Sequence, residues 1–159
     1  MEEAASLPLV ALTAWQALVE KGKLQKGQKV FIQAGSGGVG TLAIQLAKHL
    51  GAIVATTTSA TNVALVKSLG ADIVVDYRTQ DFEDVLRDYD VVLNSQDGKT
   101  LEKSLRVLAR GGKLISISGP PDAEFGRAIA APAFVRLVMR LLSARIRRQA
   151  KRSEVAYSF

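Results

Sequence analysis

Short apolar runs alternate with longer amphipathic segments along most of the chain, a pattern typical of repeated βαβ units. Five runs rich in Val, Ile and Leu predict strands, at Lys29–Ala34, Ile53–Thr58, Ile73–Asp76, Asp90–Asn94 and Lys113–Ser118. Their first residues lie 17 to 24 positions apart, which leaves room for one helix in each connection. The runs are almost unbroken in apolar residues, as expected for parallel strands covered on both faces.

Apolar residues at helical spacing predict the connecting helices and one helix before the first strand. These helices cover Leu9–Glu20, Thr41–Leu50, a segment capped by Thr61 or Asn62 and ending at Leu69, Lys99–Arg110, and Ala128–Arg148 with a break near Pro132. Residues Glu154–Phe159 predict a sixth strand. We therefore expect an α/β fold, a Rossmann-type doubly wound parallel sheet of about six strands in the order 3-2-1-4-5-6.

A glycine-rich turn between the first strand and the following helix is the main chemical feature of the chain. It has the spacing G-x-G-x-x-G and consists of Gly35, Ser36, Gly37, Gly38, Val39 and Gly40. Between a strand and a helix, this spacing predicts a dinucleotide-binding loop: glycine permits a sharp turn, close approach of a diphosphate and close helix–sheet packing. The start of the helix adds free N–H groups and the positive end of its dipole. The alternative is a glycine-rich turn that binds no ligand.

The end of the second predicted strand indicates which nucleotide would bind. Sites for NAD place an acidic residue there, about 20 residues past the glycines, to bind the ribose hydroxyls. Residues 55–62 contain neither Asp nor Glu. Hydroxyls and amides can donate hydrogen bonds to a 2′-phosphate, so we predict NADP as the cofactor, with contacts from Thr57, Thr58, Ser59 and Asn62. The same side chains would also suit ordinary strand and helix-cap chemistry.

Composition and charge narrow the function classes further. A chain of 159 residues with 48% hydrophobic residues suits one soluble domain, which we expect to be cytoplasmic and without a membrane partner. The absence of cysteine excludes disulfides and thiolate metal sites. The net charge of +6 comes from residues 136–152, because removing their seven basic residues leaves 14 basic against 15 acidic. That segment has no interleaved aromatic residues, so it predicts a solvated helix face and no nucleic-acid partner.

Four motifs, taken in order, resemble the medium-chain dehydrogenase/reductase superfamily. They are Leu12–Leu18, Ala34–Gly40, Leu69–Asp72 and Gly111–Ile115. Within the superfamily the chain is similar to the zinc-independent, quinone-oxidoreductase-like branch, but only to its coenzyme-binding half. The resemblance implies that residues 1–159 form a dinucleotide-binding domain that is a fragment of a larger two-domain oxidoreductase.

The resemblance also implies further cofactor contacts. Thr13 would lie near the phosphate and nicotinamide end, Ser59 would meet the 2′-phosphate, and Tyr77 would lie near the adenosine. Relatives specific for NADP often carry lysine where this chain has Asn62, and zinc-dependent relatives carry a cysteine shortly before the position of Thr13. The ends of the fourth and fifth strands should lie beside the nicotinamide ribose. The residues at these ends are Asn94, Ser95 and Ser118.

By the same resemblance, the whole protein would transfer a hydride to a quinone or to an activated carbonyl such as an enone, and would form a homodimer through its terminal strand. No catalytic acid or base is assigned within these residues, and no metal is expected. The chain alone should bind NADP(H) with little turnover. Two alternatives stay open at this point: a non-catalytic NADP(H)-sensing module, and a nucleic-acid binder that uses the basic segment. The single histidine, His49, is interpreted as a helix C-terminal residue.

Overall fold

A single six-stranded parallel sheet organises the molecule. The computed structural model describes residues 2–159, with side chains from Pro8 onward. The strands are β1 (Lys29–Ile32), β2 (Ile53–Thr58), β3 (Ile73–Asp76), β4 (Tyr89–Asn94), β5 (Leu108–Ser116) and β6 (Ala156–Ser158). They lie in the order β3-β2-β1-β4-β5-β6, and every neighbouring pair is parallel. The predicted Rossmann topology and strand order are confirmed.

Helices cover both faces of this sheet. They are α1 (Glu2–Trp15), which continues as a π-helical segment (Gln16–Lys21), α2 (Gly38–His49), α3 (Val63–Ser68) after a 3₁₀ turn (Ala60–Asn62), α4 (Phe82–Val85), α5 (Gly98–Ser104), α6 (Ala123–Ala128), α7 (Ala133–Leu142) and α8 (Ala144–Arg152). No helix in the described part of the chain is long and apolar enough to span a bilayer.

Alternating side chains of the central strands build two separate cores. Val30 and Ile32 of β1 belong to the core under α1, α2 and α3, whereas Phe31 between them belongs to the core under α4, α5 and α8. The Phe31 ring lies 4.9 Å from the ring of Phe82 and 6.2 Å from that of Tyr89. Burial on both faces explains why the strands are so apolar in sequence.

The helix predicted at Lys99–Arg110 is wrong in its second half. Helix α5 ends at Ser104, and β5 begins at Leu108. The amide of Tyr89 donates to the carbonyl of Val107 at 2.9 Å, and Val107 is fully buried. Strand pairing and burial of a β-branched residue therefore override the helical spacing at this point. The ladder with β4 resumes after a register shift, next to Gly111 with its φ of +78°.

The long helix predicted at Ala128–Arg148 consists instead of parts of three helices. Asp122 caps the first of them, α6, by accepting the amide of Phe125 at 2.8 Å. Helices α7 and α8 meet at Ser143, whose hydroxyl donates to the carbonyl of Met139 at 2.8 Å. Such a bond back to the preceding turn is a common cause of helix bending. The one-turn helix α4 was not predicted, because four residues are too few to show helical spacing.

Candidate functional site

Two glycines of the turn are required by packing alone. A Cβ atom on Gly35 would lie 2.1 Å from Oγ1 of Thr56, and one on Gly40 would lie 2.3 Å from the carbonyl oxygen of Ala34. Real Cβ atoms do not approach other atoms this closely. These glycines let α2 start directly against the end of β1, as the sequence predicts for the first and third glycines of the motif.

The other glycines leave the start of α2 open. Gly37 is the N-cap residue of α2 and is exposed, so no side chain accepts the N–H groups of the first helical turn. A Cβ on Gly38 would meet only a methyl group of Val10 at 3.6 Å. The side chain of Val39 packs against the core, so only its backbone faces this turn. Together these residues form a cradle of free amides at a helix N-terminus, the arrangement that binds diphosphates.

Hydroxyls at the end of β2 hold the glycine turn in place. The hydroxyl oxygen of Thr57 accepts the amide of Ala34 at 3.0 Å, and its carbonyl accepts the amide of Gly35 at 2.9 Å. The hydroxyl of Thr58 donates to that of Ser36 at 2.9 Å. These bonds support the left-handed conformation of Ala34, whose φ is +51°. Thr57 and Thr58, predicted to touch the cofactor, therefore also position the turn that would hold it.

The residues after β2 form a small polar group. The hydroxyl oxygens of Ser59 and Thr61 lie 2.9 Å apart, and the amide of the Asn62 side chain donates to Ser59 at 3.5 Å. Neither Thr61 nor Asn62 caps the following helix through its side chain, so that prediction is wrong. Ser59 and Asn62 lie together at the end of β2, where the sequence places the 2′-phosphate.

The end of β3 adds a cation that the sequence analysis missed. In the parallel register Asp76 pairs with Thr58, which brings the following residues to the same edge of the sheet. Tyr77 is 59% exposed, and its amide donates to the carbonyl of Thr58 at 3.3 Å. The Arg78 guanidinium lies 5.9 Å from the centre of the Tyr77 ring. The strand pairing was the available signal, because it brings residues 77 and 78 to the edge of the sheet where β2 ends.

A buried polar network crosses the ends of the central strands. Asn94 is fully buried; its amide donates to Oε1 of Gln33 at 2.6 Å, and its oxygen accepts the hydroxyl of Ser116 at 3.1 Å. The hydroxyl oxygen of Ser118 lies 3.3 Å from the same oxygen. The Gln33 amide in turn donates to Ser104 at 2.7 Å. This corrects the prediction for Asn94: its side chain is committed inside the sheet and has no exposed atom to offer a ligand. Gln33 and Ser116 were missed, although they are polar residues at the ends of apolar strands.

Ser95 and Ser118 lie at the surface of this network. The Ser95 hydroxyl donates to the carbonyl of Gln33 at 3.3 Å, and the Ser118 hydroxyl donates to the carbonyl of Gln96 at 2.5 Å. Both hydroxyl oxygens retain lone pairs, so these residues can accept hydrogen bonds at the carboxyl edge of the sheet.

Thr13 borders an apolar cavity at the same edge. Its hydroxyl donates to the carbonyl of Leu9 at 2.8 Å, within α1. The cavity has a volume of about 270 Å³ and lies between Thr13, the end of β5 at Ile115–Ile117, and two aromatic rings. Those rings, Phe125 and Phe159, meet edge to face with centres 4.9 Å apart. The fold thus brings Thr13 to the ends of β5 and β6. Its contact with the cofactor stays a prediction.

Comparisons with known proteins agree with this geometry. Residues 38–149 match the zinc-binding dehydrogenase family. The chain is 41% identical to 2-methylene-furan-3-one reductase of Solanum lycopersicum over 128 residues, which are 77% of this chain and 32% of that protein. It is 39% identical to the chloroplastic NADPH-dependent alkenal/one oxidoreductase of Arabidopsis thaliana, with the same coverage of 77% and 32%.

Solved structures give the same result. The quinone oxidoreductase from Coxiella burnetii is 33% identical, with a TM-score of 0.77 over 98% of this chain and 42% of that one. The CurK enoyl reductase is 31% identical, with a TM-score of 0.78 over 98% of this chain and 43% of that one. The chain spans about a third of the length of the two relatives from Solanum lycopersicum and Arabidopsis thaliana. It belongs to the zinc-binding dehydrogenase family, and it corresponds to the coenzyme-binding part of the medium-chain dehydrogenase/reductase superfamily.

Proposed function

We propose that residues 1–159 form the NADP(H)-binding domain of a two-domain oxidoreductase that transfers hydride to a quinone or an enone. The observation that carries this proposal is the site at the end of β2, where the glycine turn and a group of hydroxyls lie together without a carboxylate from residues 53–62. The relatives include an NADPH-dependent alkenal/one oxidoreductase and a quinone oxidoreductase, and these similarities support the same conclusion.

Each part of the site would hold one part of the cofactor. The amides at the start of α2 would bind the diphosphate, since they are unpaired and lie at the positive end of the helix. Ser59, Asn62 and Arg78 would bind the 2′-phosphate, and the exposed ring of Tyr77 would lie against the adenosine. Ser95 and Ser118 would accept hydrogen bonds from the nicotinamide ribose, and Thr13 would border the nicotinamide.

NADPH, when bound, supplies the hydride. The chain's own residues orient the cofactor and keep water from its reactive end, which would lie by the apolar cavity between Thr13 and Phe125. The buried network around Asn94 fixes the strand ends that carry Ser95 and Ser118. None of these residues is a general acid or base, so polarisation of the substrate carbonyl would come from outside this domain.

We further propose that this domain supplies no zinc site, despite the name of the family. Structural and catalytic zinc sites draw on Cys, His and carboxylates, usually three or four together. The chain has no cysteine and one histidine, and its described residues contain no group of three or more such ligands. These residues do not fit a zinc ion, and no step of the mechanism runs through one.

A homodimer through the edge of β6 completes the proposal. Strand β6 pairs only with β5 and so leaves one edge of the sheet open, which favours pairing with a second copy. Light scattering at tens of micromolar should give the mass of a dimer, and Ala156→Lys should reduce it to that of a monomer. A monomeric wild-type chain would contradict this part of the proposal.

Calorimetric titration with NADPH and NADH tests the cofactor. We expect NADPH to bind more tightly, and Ser59→Asp to reverse the preference, because a carboxylate there repels a 2′-phosphate and binds ribose hydroxyls. Ser68→Asp is the matched control, since Ser68 is an exposed serine of α3 whose hydroxyl donates to Leu65. Tighter binding of NADH by the wild type, or no binding of either nucleotide, would overturn the assignment.

Hydride transfer is tested separately from binding. Loss of NADPH absorbance in the presence of a quinone or an enone should be slow for this chain alone and faster for a longer form of the protein. A longer form that binds NADPH but oxidises none of it would favour the alternative, a non-catalytic NADP(H)-sensing module.

A further inference from the structure

Helix α7 contacts α6 through the side of the helix that carries Arg136. Leu137 and Leu141 are 53% and 67% exposed, so the apolar side of the helix faces outward. On the other side, Cγ of Arg136 lies 3.0 Å from where a Cβ on Gly126 of α6 would be. Arg140 follows Arg136 by one turn and therefore points along α6 toward β6.

Arg140 and Arg147 border two adjoining clefts between α6, α8 and β6. The smaller cleft, of about 370 Å³, is also lined by Arg127. The larger, of about 710 Å³, is also lined by Arg148 and Lys151. Both clefts are open to solvent, so a ligand bound there would stay partly exposed. We call the two together the arginine cleft.

The cations of the arginine cleft lack carboxylate partners. Among the described side chains, no carboxylate oxygen lies within 4.0 Å of the five cations, which are Arg127, Arg140, Arg147, Arg148 and Lys151. By contrast, Arg145 of helix α8 pairs with Glu102 at 3.0 Å. Of the acids that line the cleft, Asp122 accepts the amides of Phe125 and Phe159, and Glu154 pairs with Arg110 at 3.7 Å. These two carboxylates and Glu124 offset part of the five positive charges, which leaves an excess of cations in the cleft.

The remaining polar group of the cleft is the Tyr157 hydroxyl, which would not repel an anion. Burial raises the pKa of the Tyr157 hydroxyl to about 12, with a further contribution from the charge of Asp122. The phenol is therefore neutral at physiological pH, and it donates to the carbonyl of Pro120 at 2.8 Å. The cleft is thus lined by several exposed guanidinium groups, the side chains best suited to phosphate.

We propose that the arginine cleft binds a small molecule that carries a diphosphate or at least two phosphate charges, with Arg140 and Arg147 as its central ligands. This site lies beside β6, at the opposite edge of the sheet from β2 and β3, and so is separate from the proposed nucleotide site. A polynucleotide is disfavoured because no exposed aromatic ring lines the cleft to stack a base.

Calorimetric titration of the chain with inorganic pyrophosphate, at fixed ionic strength, tests this inference. We expect a saturable site in addition to the proposed diphosphate site on the glycine turn. Its affinity should fall about tenfold or more in the variant Arg140→Gln/Arg147→Gln, because two charge-assisted contacts are lost. Arg152→Gln removes one charge from α8, the helix of Arg147, but outside the cleft, and should leave the affinity within about twofold. Circular dichroism verifies folding, and Arg127→Gln serves as a second variant if the double variant unfolds.

Several outcomes would overturn the proposal. Pyrophosphate binding that does not saturate, or an equal loss of affinity in Arg152→Gln and in the double variant, would indicate diffuse attraction to a basic surface. Saturating NADPH that abolishes the binding would place pyrophosphate on the glycine turn. Tighter binding of a single-stranded oligonucleotide or of phosphatidylserine vesicles, equally sensitive to Arg152→Gln, would identify a polyanion surface and no discrete site.

Discussion

Gly40 shows how a single missing side chain sets the distance between α2 and the sheet. We expect Gly40→Ala to destabilise the chain by about 1–3 kcal/mol, because the new methyl group meets backbone atoms that cannot rotate away. The clash with the carbonyl oxygen of Ala34, at 2.3 Å, would also move the start of α2 and abolish NADPH binding. Urea unfolding and nucleotide titration measure the two effects.

The control for this substitution is Gly98→Ala. A Cβ on Gly98 has nothing within 4 Å, and the residue begins helix α5. Alanine there should be neutral or stabilising by up to about 1 kcal/mol, since it restricts the unfolded chain. Equal destabilisation by the two substitutions would show that packing at Gly40 is not the cause.

Asn94 is the second residue whose contribution to stability can be measured by one substitution. Asn94→Ala would leave the Gln33 side-chain oxygen without a donor and the Ser116 hydroxyl proton without its acceptor. We expect a loss of about 2–4 kcal/mol of unfolding free energy, because each unsatisfied buried group costs about 1–3 kcal/mol. Ser118→Ala, at the exposed end of the network, should cost less than about 1 kcal/mol. Similar losses for both variants in urea unfolding would contradict the role given to Asn94.

At the scale of elements, Asp72 connects α2, β2 and the turn before β3. Its carboxylate accepts the Lys48 ammonium at 2.9 Å and the Val54 amide at 2.7 Å. Partial burial acts to raise the pKa of Asp72, but the hydrogen bonds from Val54 and Lys48, with the Lys48 charge, hold it below 3.8. A carboxyl with a lowered pKa stabilises the fold above its unfolded pKa, and this contribution disappears as the pH falls through the folded value.

We therefore expect the stability difference between wild type and Asp72→Asn to be constant near neutral pH and to shrink below about pH 4. The difference should be modest, because the ion pair is more than a third exposed and solvent screens it. Thermal unfolding from about pH 6 to pH 3 measures it. Asp84→Asn, at an exposed acid of α4, is the control and should show no such trend; a gap for Asp72→Asn that widens in acid would refute the assignment.

Elements also show where sequence reasoning holds and where it stops. The apolar runs at Val30–Ile32 and Val91–Leu93 predict buried parallel strands, and the βα alternation then fixes their order. The segment Leu105–Arg110 has helical spacing, yet its backbone pairs with Tyr89 and the chain around it. Local spacing cannot reveal a partner that lies more than a dozen residues away.

Some features of the candidate site can likewise be predicted from local sequence, whereas others depend on how the strands and helices pack. The glycine turn and the carboxylate-free end of β2 are local features, and the sequence predicts them. The commitment of Asn94 to Gln33 and Ser116 joins residues 61 and 22 positions apart, so it depends on strand register. Arg78 and the arginine cleft likewise need strands and helices to be placed before their side chains come together.

For the whole molecule, the exposed apolar side of α7 should govern solubility and leave stability nearly unchanged. Leu137 and Leu141 already contact solvent, so changing both to Gln should alter the unfolding free energy by no more than about 0.5 kcal/mol per site. The same change should reduce the binding of a hydrophobic dye and raise solubility, because it breaks a contiguous apolar patch. Val85→Gln, at an exposed apolar residue of α4, should leave dye binding as it is. A large loss of stability in the α7 variant would mean that these leucines are packed in solution, and unchanged dye binding would place the apolar surface elsewhere.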